Sequence, residues 1–263
     1  MTIGINGLKY EISVRKNLQT LIEQSSVPLR ILDDSGGFSR NRVDLYLQNT
    51  KTDTIFPFEI KMNKNAQMGG PSIRMTEDNQ IIFTEQGNSL SSSTKEQISS
   101  SITQKIDHLK IFFEKTQQLV PNTLRQNKLS VPFYTTKEAW QKLQKSGFLK
   151  SLNINIESNQ KFIFDWYHNK QCYYMQIGKS GLFYLKDNPL NISVPRLNST
   201  VNIGIRMSRS GSGTKEHPTK RRVEFRSIAK LKRFSEKSPV SLDNLTATQV
   251  LHSCLHCTGI KQS

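Results

Sequence analysis

The sequence has few cysteines and no long apolar run, and each absence excludes a class of protein. Three cysteines in 263 residues are too few for the disulfide framework of a small secreted domain. No apolar stretch reaches the roughly 20 residues that cross a bilayer. The N-terminus also lacks the apolar segment of a signal peptide. We therefore expect a soluble, cytoplasmic protein.

Acidic residues are scarce relative to basic ones. The chain has 37 Lys and Arg against 21 Asp and Glu, which gives a formal net charge of +16. Such an excess predicts a polyanionic partner, because binding to phosphates releases counterions. A membrane surface is the competing partner, but no basic amphipathic helix with large apolar residues on its other face is evident. We therefore expect a nucleic acid, and no membrane, as the partner.

The part of the chain richest in information consists of two short segments in which apolar and polar residues alternate, a pattern typical of β-strands. The first segment, residues 43–47, places Asp44 opposite its apolar residues. The second, residues 56–62, places Glu59 and Lys61 together opposite its apolar residues. A polar turn joins the segments into a hairpin, so the three charged groups are predicted to converge on one side.

Two carboxylates and an ammonium group at this spacing suit phosphodiester hydrolysis. The acids hold a divalent metal ion that polarises the phosphate, and the lysine orients or activates the attacking water. The pattern of Asp44 followed by Glu59-x-Lys61 resembles the catalytic motif of the PD-(D/E)xK nucleases, although Val43 stands where that motif often has proline. Taken alone, the pattern also fits a surface hairpin with an exposed ion pair.

A helix predicted over residues 7–24 brings in a third acid. Its apolar stripe consists of Val14, Leu18, Leu21 and Ile22. Glu11 lies at the edge of this stripe, where a carboxylate needs a partner. Two interpretations stay open. Glu11 forms a salt bridge with a basic neighbour such as Arg15, or it serves the metal site, since many PD-(D/E)xK nucleases carry a glutamate on the helix before the hairpin.

The residues after Lys61 point to a narrower group within the PD-(D/E)xK nucleases. Short restriction endonucleases show a similar Glu-x-Lys followed by a glutamine and a glycine, here Gln67 and Gly69. The chain resembles type II restriction endonucleases, in particular the HhaI-like enzymes that cut GCGC. This resemblance implies Mg²⁺ as the cofactor, with Asp44, Glu59 and the carbonyl of Ile60 as its ligands.

The fold expected from this resemblance is an α/β PD-(D/E)xK core, a mixed sheet flanked by helices, with a β-rich C-terminal part. A change in composition near residue 130 divides the catalytic core, residues 1–130, from the DNA-recognition part, residues 131–263, packed as one continuous unit. Helices are predicted at 94–118 and 246–256, and a capping box at Thr135 and Glu138 opens a further short helix. Strands are predicted at 153–157, 161–167, 172–177, 182–186, 201–207 and 223–228.

Two basic groups are candidates for DNA contact. The first lies where a strand beginning near Val201 enters a basic loop, and comprises Arg206, Ser208, Arg209 and Ser210. Arginine there could donate two hydrogen bonds to a guanine edge. The second group is predicted to contact the DNA backbone, and comprises Lys220, Arg221 and Arg222. Arg40, Arg42 and Gln67 are further candidates. The alternative is a solvated hairpin loop with nonspecific phosphate contacts.

The function predicted from the sequence is that of a type II restriction endonuclease. It makes Mg²⁺-dependent double-strand cuts at a short, G·C-containing site in double-stranded DNA, as a monomer or a homodimer. One alternative is a structure-specific junction or repair nuclease of the same fold. The other is a non-catalytic DNA-binding protein that uses only its basic surface.

Overall fold

A computed structural model describes most of the chain. The described residues are 3–32, 43–70, 72–75, 80–83, 90–104, 106–107, 110–111, 133–151, 153–158, 160–168, 170–209, 219 and 221–257. Helices and strands are interspersed along these residues, so the protein is of the mixed α/β class, as expected. No described helix combines the length and apolar character that a membrane crossing needs.

The described elements follow one another in this order: α1 (Ile3–Ser25), β1 (Leu29–Ile31), β2 (Leu45–Asn49), β3 (Ile55–Lys61), β4 (Ser72–Met75), β5 (Ile81–Phe83), α2 (Ser92–Thr103), β6 (Phe133–Thr135), α3 (Lys137–Lys145), α4 (Phe148–Ser151), β7 (Ile154–Ser158), α5 (Lys161–His168), β8 (Tyr174–Ile177), β9 (Gly181–Tyr184), β10 (Thr200–Arg209), β11 (Arg221–Lys232), a 3₁₀ turn (Leu245–Ala247) and α6 (Thr248–His256).

The chain forms two compact units. Unit 1 comprises residues 1–68, 163–200 and 230–263, and unit 2 comprises residues 69–162 and 201–229. This differs from the single boundary near residue 130 that the composition suggested. The reason is the pairing of β8 with β3, which returns the later chain to the first sheet.

Unit 1 is built on a sheet with strand order β1-β2-β3-β8-β9. The predicted hairpin forms as β2 and β3, with Leu45 opposite Phe58 and Leu47 opposite Phe56. All neighbours in this sheet are antiparallel except β3 and β8, which run parallel. The apolar stripe of α1 packs with the inner faces of β2 and β3 in one core cluster, which α6 also joins through Val250. The hairpin therefore lies at the centre of a buried framework.

Unit 2 contains a second sheet, with strand order β5-β4-β11-β10-β7 and β6 pairing with β11. Along β10 the buried side chains alternate, as the sequence predicted, and they are Val201, Ile203 and Ile205. Arg221 and Arg222, predicted to lie in a basic loop, are instead the first residues of β11 and pair with Thr135 and Tyr134. Strand β11 therefore begins earlier than the apolar alternation indicates.

The strand predicted at residues 161–167 is wrong, because this segment forms helix α5. Its side chains are buried on almost every side, and the buried ones are Phe162, Ile163, Phe164, Trp166 and Tyr167. A short, continuous apolar run rich in aromatic residues looks the same in a buried strand and a buried helix. Periodicity could not separate the two.

The start of one helix also differs from the prediction. Helix α3 is capped by Thr136, whose hydroxyl accepts a hydrogen bond from the Ala139 amide at 3.2 Å. Thr135, the predicted cap, belongs to β6 and pairs with Arg221. Helix α2 covers Ser92–Thr103. Of its predicted continuation to residue 118, residues 106–107 and 110–111 are helical, and most of the rest lies outside the described residues.

Candidate active site

Asp44, Glu59 and Lys61 come together at one end of the β2–β3 hairpin. Asp44 directly precedes β2, and its Oδ2 accepts a hydrogen bond from the Ile60 amide at 2.9 Å. The Lys61 ammonium donates to Glu59 Oε1 and lies 3.8 Å from Asp44 Oδ2. The alternation in the sequence therefore predicted the convergence of these three groups correctly.

This charged group is largely buried. Glu59 is only 4% exposed, and the side chains of Asp44 and Lys61 are 16% and 15% exposed. An exposed ion pair on a surface hairpin, the alternative considered from the sequence, does not match this burial. Two buried carboxylates side by side are costly and need compensating positive charge.

The pKa values of Asp44 and Lys61 reflect both their burial and the charges around them. Burial, followed by the charge of Glu59, raises the pKa of Asp44 to about 7, although Lys61 acts in the opposite direction. Burial would lower the pKa of Lys61, but Glu59 and Asp44 outweigh it and hold that pKa above its ordinary value. Lys61 is therefore a cation at neutral pH, while the pKa of Asp44 lies near neutrality.

The two oxygens of Glu59 have different surroundings. Oε1 accepts hydrogen bonds from Lys61 and from the Tyr167 hydroxyl, the latter at 2.9 Å. Oε2 is buried and has no hydrogen-bond partner among the residues that the structure describes. A bare carboxylate oxygen in the interior is costly, and a divalent cation would stabilise it.

The two carboxylates suit a hard divalent cation such as magnesium, which prefers oxygen ligands. Within the described part of the chain, no set of three or more His, Cys, Asp and Glu side chains is arranged as a metal-binding group. Mg²⁺ does not need such a set, because it is usually held by one or two carboxylates and completes its shell with water and substrate phosphate. Asp44 and Glu59 supply these two carboxylates.

Glu11 of α1 lies within electrostatic reach of the charged group. Its side chain is half-buried, and burial raises its pKa, while the charge of Lys61 lowers it and the charge of Glu59 raises it. Arg15, the predicted salt-bridge partner, influences Glu11 less than Lys61 does, and its guanidinium donates a hydrogen bond to the Asp44 carbonyl. Lys61 and Arg15 therefore both act on Glu11, and its place at the charged site stays a prediction.

A partly buried hydrogen-bond network anchors the helix segment beside Glu11. Tyr10 donates from its hydroxyl to Asp243 Oδ2 at 2.7 Å, and Gln176 donates from Nε2 to the Tyr10 hydroxyl at 3.2 Å. Gln176 is fully buried on β8, where it pairs with Ile60. The helix that carries Glu11 is thus tied to the strand beside Glu59.

Sequence reasoning missed Tyr167 and Gln176. Tyr167 lies 108 residues from Glu59 in the chain, and its segment was assigned to a strand. Burial, followed by the charges of Glu59 and Asp44, raises the pKa of Tyr167 well above its ordinary value, so its hydroxyl stays protonated and donates. No local pattern in the sequence links either residue to the hairpin.

The candidate DNA-binding residues fall into separate places. Gln67 is exposed in unit 1, after β3, while Arg206 is exposed on β10 of unit 2. At the end of β10 the Ser208 hydroxyl is buried, and the Arg209 guanidinium donates to the Thr135 carbonyl at 3.4 Å. Arg221 and Arg222 lie in β11. Four further candidates lie outside the described residues, and they are Arg40, Arg42, Ser210 and Lys220.

Comparison of the chain with protein-family models, with curated proteins and with solved structures finds no match. An account of its function therefore depends on the chemistry of the residues described above.

The raised pKa of Asp44 predicts how stability depends on pH in the metal-free protein. Between its ordinary pKa of 3.8 and the folded value of about 7, folded Asp44 keeps a proton that the unfolded chain releases. Stability from this group is therefore lost as pH rises through that range. Asp44→Asn removes the titration, so relative to wild type it should gain roughly 2 kcal/mol in free energy of unfolding between pH 5 and pH 8.

Urea unfolding in EDTA at four pH values measures this difference. The exposed carboxylate Asp187 provides the control, since Asp187→Asn should track wild type across the range. A stability gap between Asp44→Asn and wild type that does not change with pH would contradict the assignment.

Proposed function

We propose that this chain is a type II restriction endonuclease of the PD-(D/E)xK superfamily, which cuts both strands of DNA at a short specific sequence with the help of Mg²⁺. The observation that carries the proposal is the buried group of Asp44, Glu59 and Lys61, with one Glu59 oxygen free of any described hydrogen-bond partner. A buried pair of acids with incomplete compensation is typical of a functional site rather than a structural ion pair.

The arrangement of unit 1 supports the same superfamily. Strands β2 and β3 carry the acids, β3 pairs with a parallel strand on its other side, and α1 precedes the hairpin. Glu11 projects from α1 into the influence of Lys61 and Glu59. This is the combination of helix glutamate and hairpin acids that the resemblance in the sequence implies.

The residues divide the chemistry among them. Asp44 and Glu59 would hold the Mg²⁺, with the Ile60 carbonyl as a further ligand that the resemblance implies. When bound, the ion would supply Lewis acidity and offset charge on the phosphate. Lys61 is already cationic in this site, so it suits orienting the water and offsetting negative charge at the reacting phosphate more than removing a proton.

The charge of the chain supports double-stranded DNA as the substrate. A net charge of +16 favours binding to phosphates with little regard for sequence. Reading of bases needs exposed donors on a fixed backbone, and Arg206 on β10 meets this requirement. Arg209 is less suited, because its guanidinium is engaged with the Thr135 carbonyl. We assign base contact to Arg206 within the basic segment, and the enzyme acts as a monomer or a homodimer.

Removal of charge from the site should abolish cleavage while DNA binding persists. Asp44→Asn and Glu59→Gln keep the shape of each side chain and remove the metal-binding charge, so both variants should lose activity. Lys61→Ala should slow turnover on the order of a hundredfold or more, the loss typical of removing one group that offsets charge at the reacting centre. The assay is digestion of plasmid DNA with Mg²⁺, with binding to a labelled duplex measured in EDTA.

Discrete bands from wild type support site-specific cleavage, whereas a smear or nicking alone would indicate a nuclease of another kind. Asp187→Asn again serves as the control and should cut like wild type. Cleavage at the wild-type rate by Asp44→Asn would refute the metal-site assignment.

The role of Glu11 can be separated from a structural one. Glu11→Gln keeps the shape and removes the charge, so a site role predicts lower cleavage with a nearly unchanged melting temperature. Arg15→Gln, which removes the cation that Glu11 was first expected to pair with, is the companion variant. A clear drop in melting temperature with normal specific activity in Glu11→Gln would instead support the salt bridge.

Arg206 should discriminate between sequences. A guanidinium that donates two hydrogen bonds to guanine contributes about 1–3 kcal/mol on cognate DNA and little on a scrambled duplex. Arg206→Lys keeps the charge but cannot donate two hydrogen bonds to one guanine, so this variant should lose the preference for cognate over scrambled DNA. The measurement is binding to both duplexes at two salt concentrations. If Arg206→Lys still prefers cognate DNA as strongly as wild type does, Arg206 contacts only phosphate.

A further inference from the structure

We propose that Tyr167 is a positioning residue for the metal site, which orients the Glu59 carboxylate so that its Oε2 is the oxygen offered to a divalent cation. The use of this site for a metal ion rests on the proposed function. The structural basis of the inference is independent of that function, and comprises the contacts of Tyr167, Glu59 and Lys61.

The Tyr167 hydroxyl meets Glu59 in the protein interior. Tyr167 is 1% exposed and ranks among the largest fully buried side chains of the chain. Its hydroxyl lies 2.9 Å from Glu59 Oε1, and it is the donor because a carboxylate only accepts. This bond holds the Glu59 carboxylate from helix α5, a segment far from the hairpin in the sequence.

Glu59 Oε1 is held by two donors of different character. Lys61 donates a charged hydrogen bond, and its ammonium also lies 3.8 Å from Asp44. A divalent cation beside Asp44 and Glu59 would repel this ammonium, whereas the hydroxyl of Tyr167 is neutral. Tyr167 is therefore the donor that remains compatible with a bound cation. It leaves Oε2, which has no hydrogen-bond partner in the described part of the chain, to face that cation.

The backbone around Tyr167 is well anchored. Its carbonyl accepts hydrogen bonds at 3.0 Å from the amides of both Lys170 and Cys172, at the turn between α5 and β8. The Lys170 ammonium also lies 5.3 Å from the centre of the Tyr167 ring. Because β8 runs beside β3, with Met175 opposite Glu59, the turn and the carboxylate share one sheet framework. These contacts therefore fix the position of the Tyr167 hydroxyl.

Tyr167 would affect the affinity for a metal ion indirectly, by orienting the ligand Glu59. Loss of such an outer contact typically weakens metal binding or activity by about 10–100-fold. Tyr167→Phe keeps the buried ring and removes only the hydroxyl, so we expect Mn²⁺ to bind about tenfold more weakly. DNA binding in EDTA should not change, because the hydroxyl does not reach the surface.

Tyr174 provides a matched control. It is another buried phenol of unit 1, and its hydroxyl donates to Asn188 Oδ1 at 2.6 Å and accepts from the Leu190 amide at 2.9 Å. Tyr174→Phe should therefore lower the melting temperature while the affinity for Mn²⁺ stays at the wild-type value.

The experiment is calorimetric titration of the full chain with Mn²⁺ in the absence of DNA, for wild type, Tyr167→Phe and Tyr174→Phe. Thermal unfolding checks that each variant is folded, and Tyr167→Met, which fills the space without a donor, replaces Tyr167→Phe if that variant is unfolded. Weaker Mn²⁺ binding in the Tyr167 variant alone supports the inference. Equal binding in wild type and the Tyr167 variant overturns it, as does equal weakening in Tyr174→Phe.

The outcomes also separate this inference from the proposed function. If wild type binds no Mn²⁺, both are overturned. If wild type binds Mn²⁺, the Tyr167 variant binds it more weakly and wild type cuts no DNA, the positioning role stands and the nuclease assignment fails.

Discussion

The burial of two neighbouring carboxylates is the constraint on which the rest of unit 1 depends. Asp44, directly before β2, and Glu59, in the adjacent strand β3, have little access to water, and Lys61 supplies a compensating charge within 3.8 Å of Asp44 and hydrogen-bonded to Glu59. That compensation is incomplete, since the pKa of Asp44 rises to about 7 and one buried Glu59 oxygen has no hydrogen-bond partner among the described residues. A site that stabilised only the fold would gain from replacing these charges with apolar groups. Their presence in the interior is what the proposed cation site would need.

The surrounding fold holds these charges on rigid backbone. Strand β3 pairs with β2 on one side and β8 on the other, so Glu59 and Lys61 cannot shift without breaking a ladder. Asp44 replaces a backbone partner by accepting from the Ile60 amide, and the Lys61 carbonyl accepts from Gly178 at 2.8 Å. A side chain on Gly178 would collide with the Met62 carbonyl, because a Cβ there would lie 2.1 Å from that oxygen. The end of β8 therefore closes tightly against the end of β3.

Local patterns predicted the hairpin and its three charged groups, because the alternation of apolar and polar residues is a property of neighbouring positions. The sequence could not reveal Tyr167, since its segment is buried nearly all round and looks the same as a strand. It also could not reveal the parallel pairing of β3 with β8, which joins distant segments and moves residues 163–200 into unit 1. The position of the helix cap at Thr136 depended on where β6 ends, and that is set by its pairing with β11.

The most direct test of the account is the location of a divalent cation in crystals soaked with Mn²⁺, measured by anomalous scattering. The account predicts a peak in contact with Asp44 and with Glu59 Oε2, and a Lys61 ammonium displaced from its position between the two acids. A Lys61 ammonium still bound to both carboxylates, with no anomalous peak beside them at saturating Mn²⁺, would contradict the account and leave the three residues as a structural ion pair.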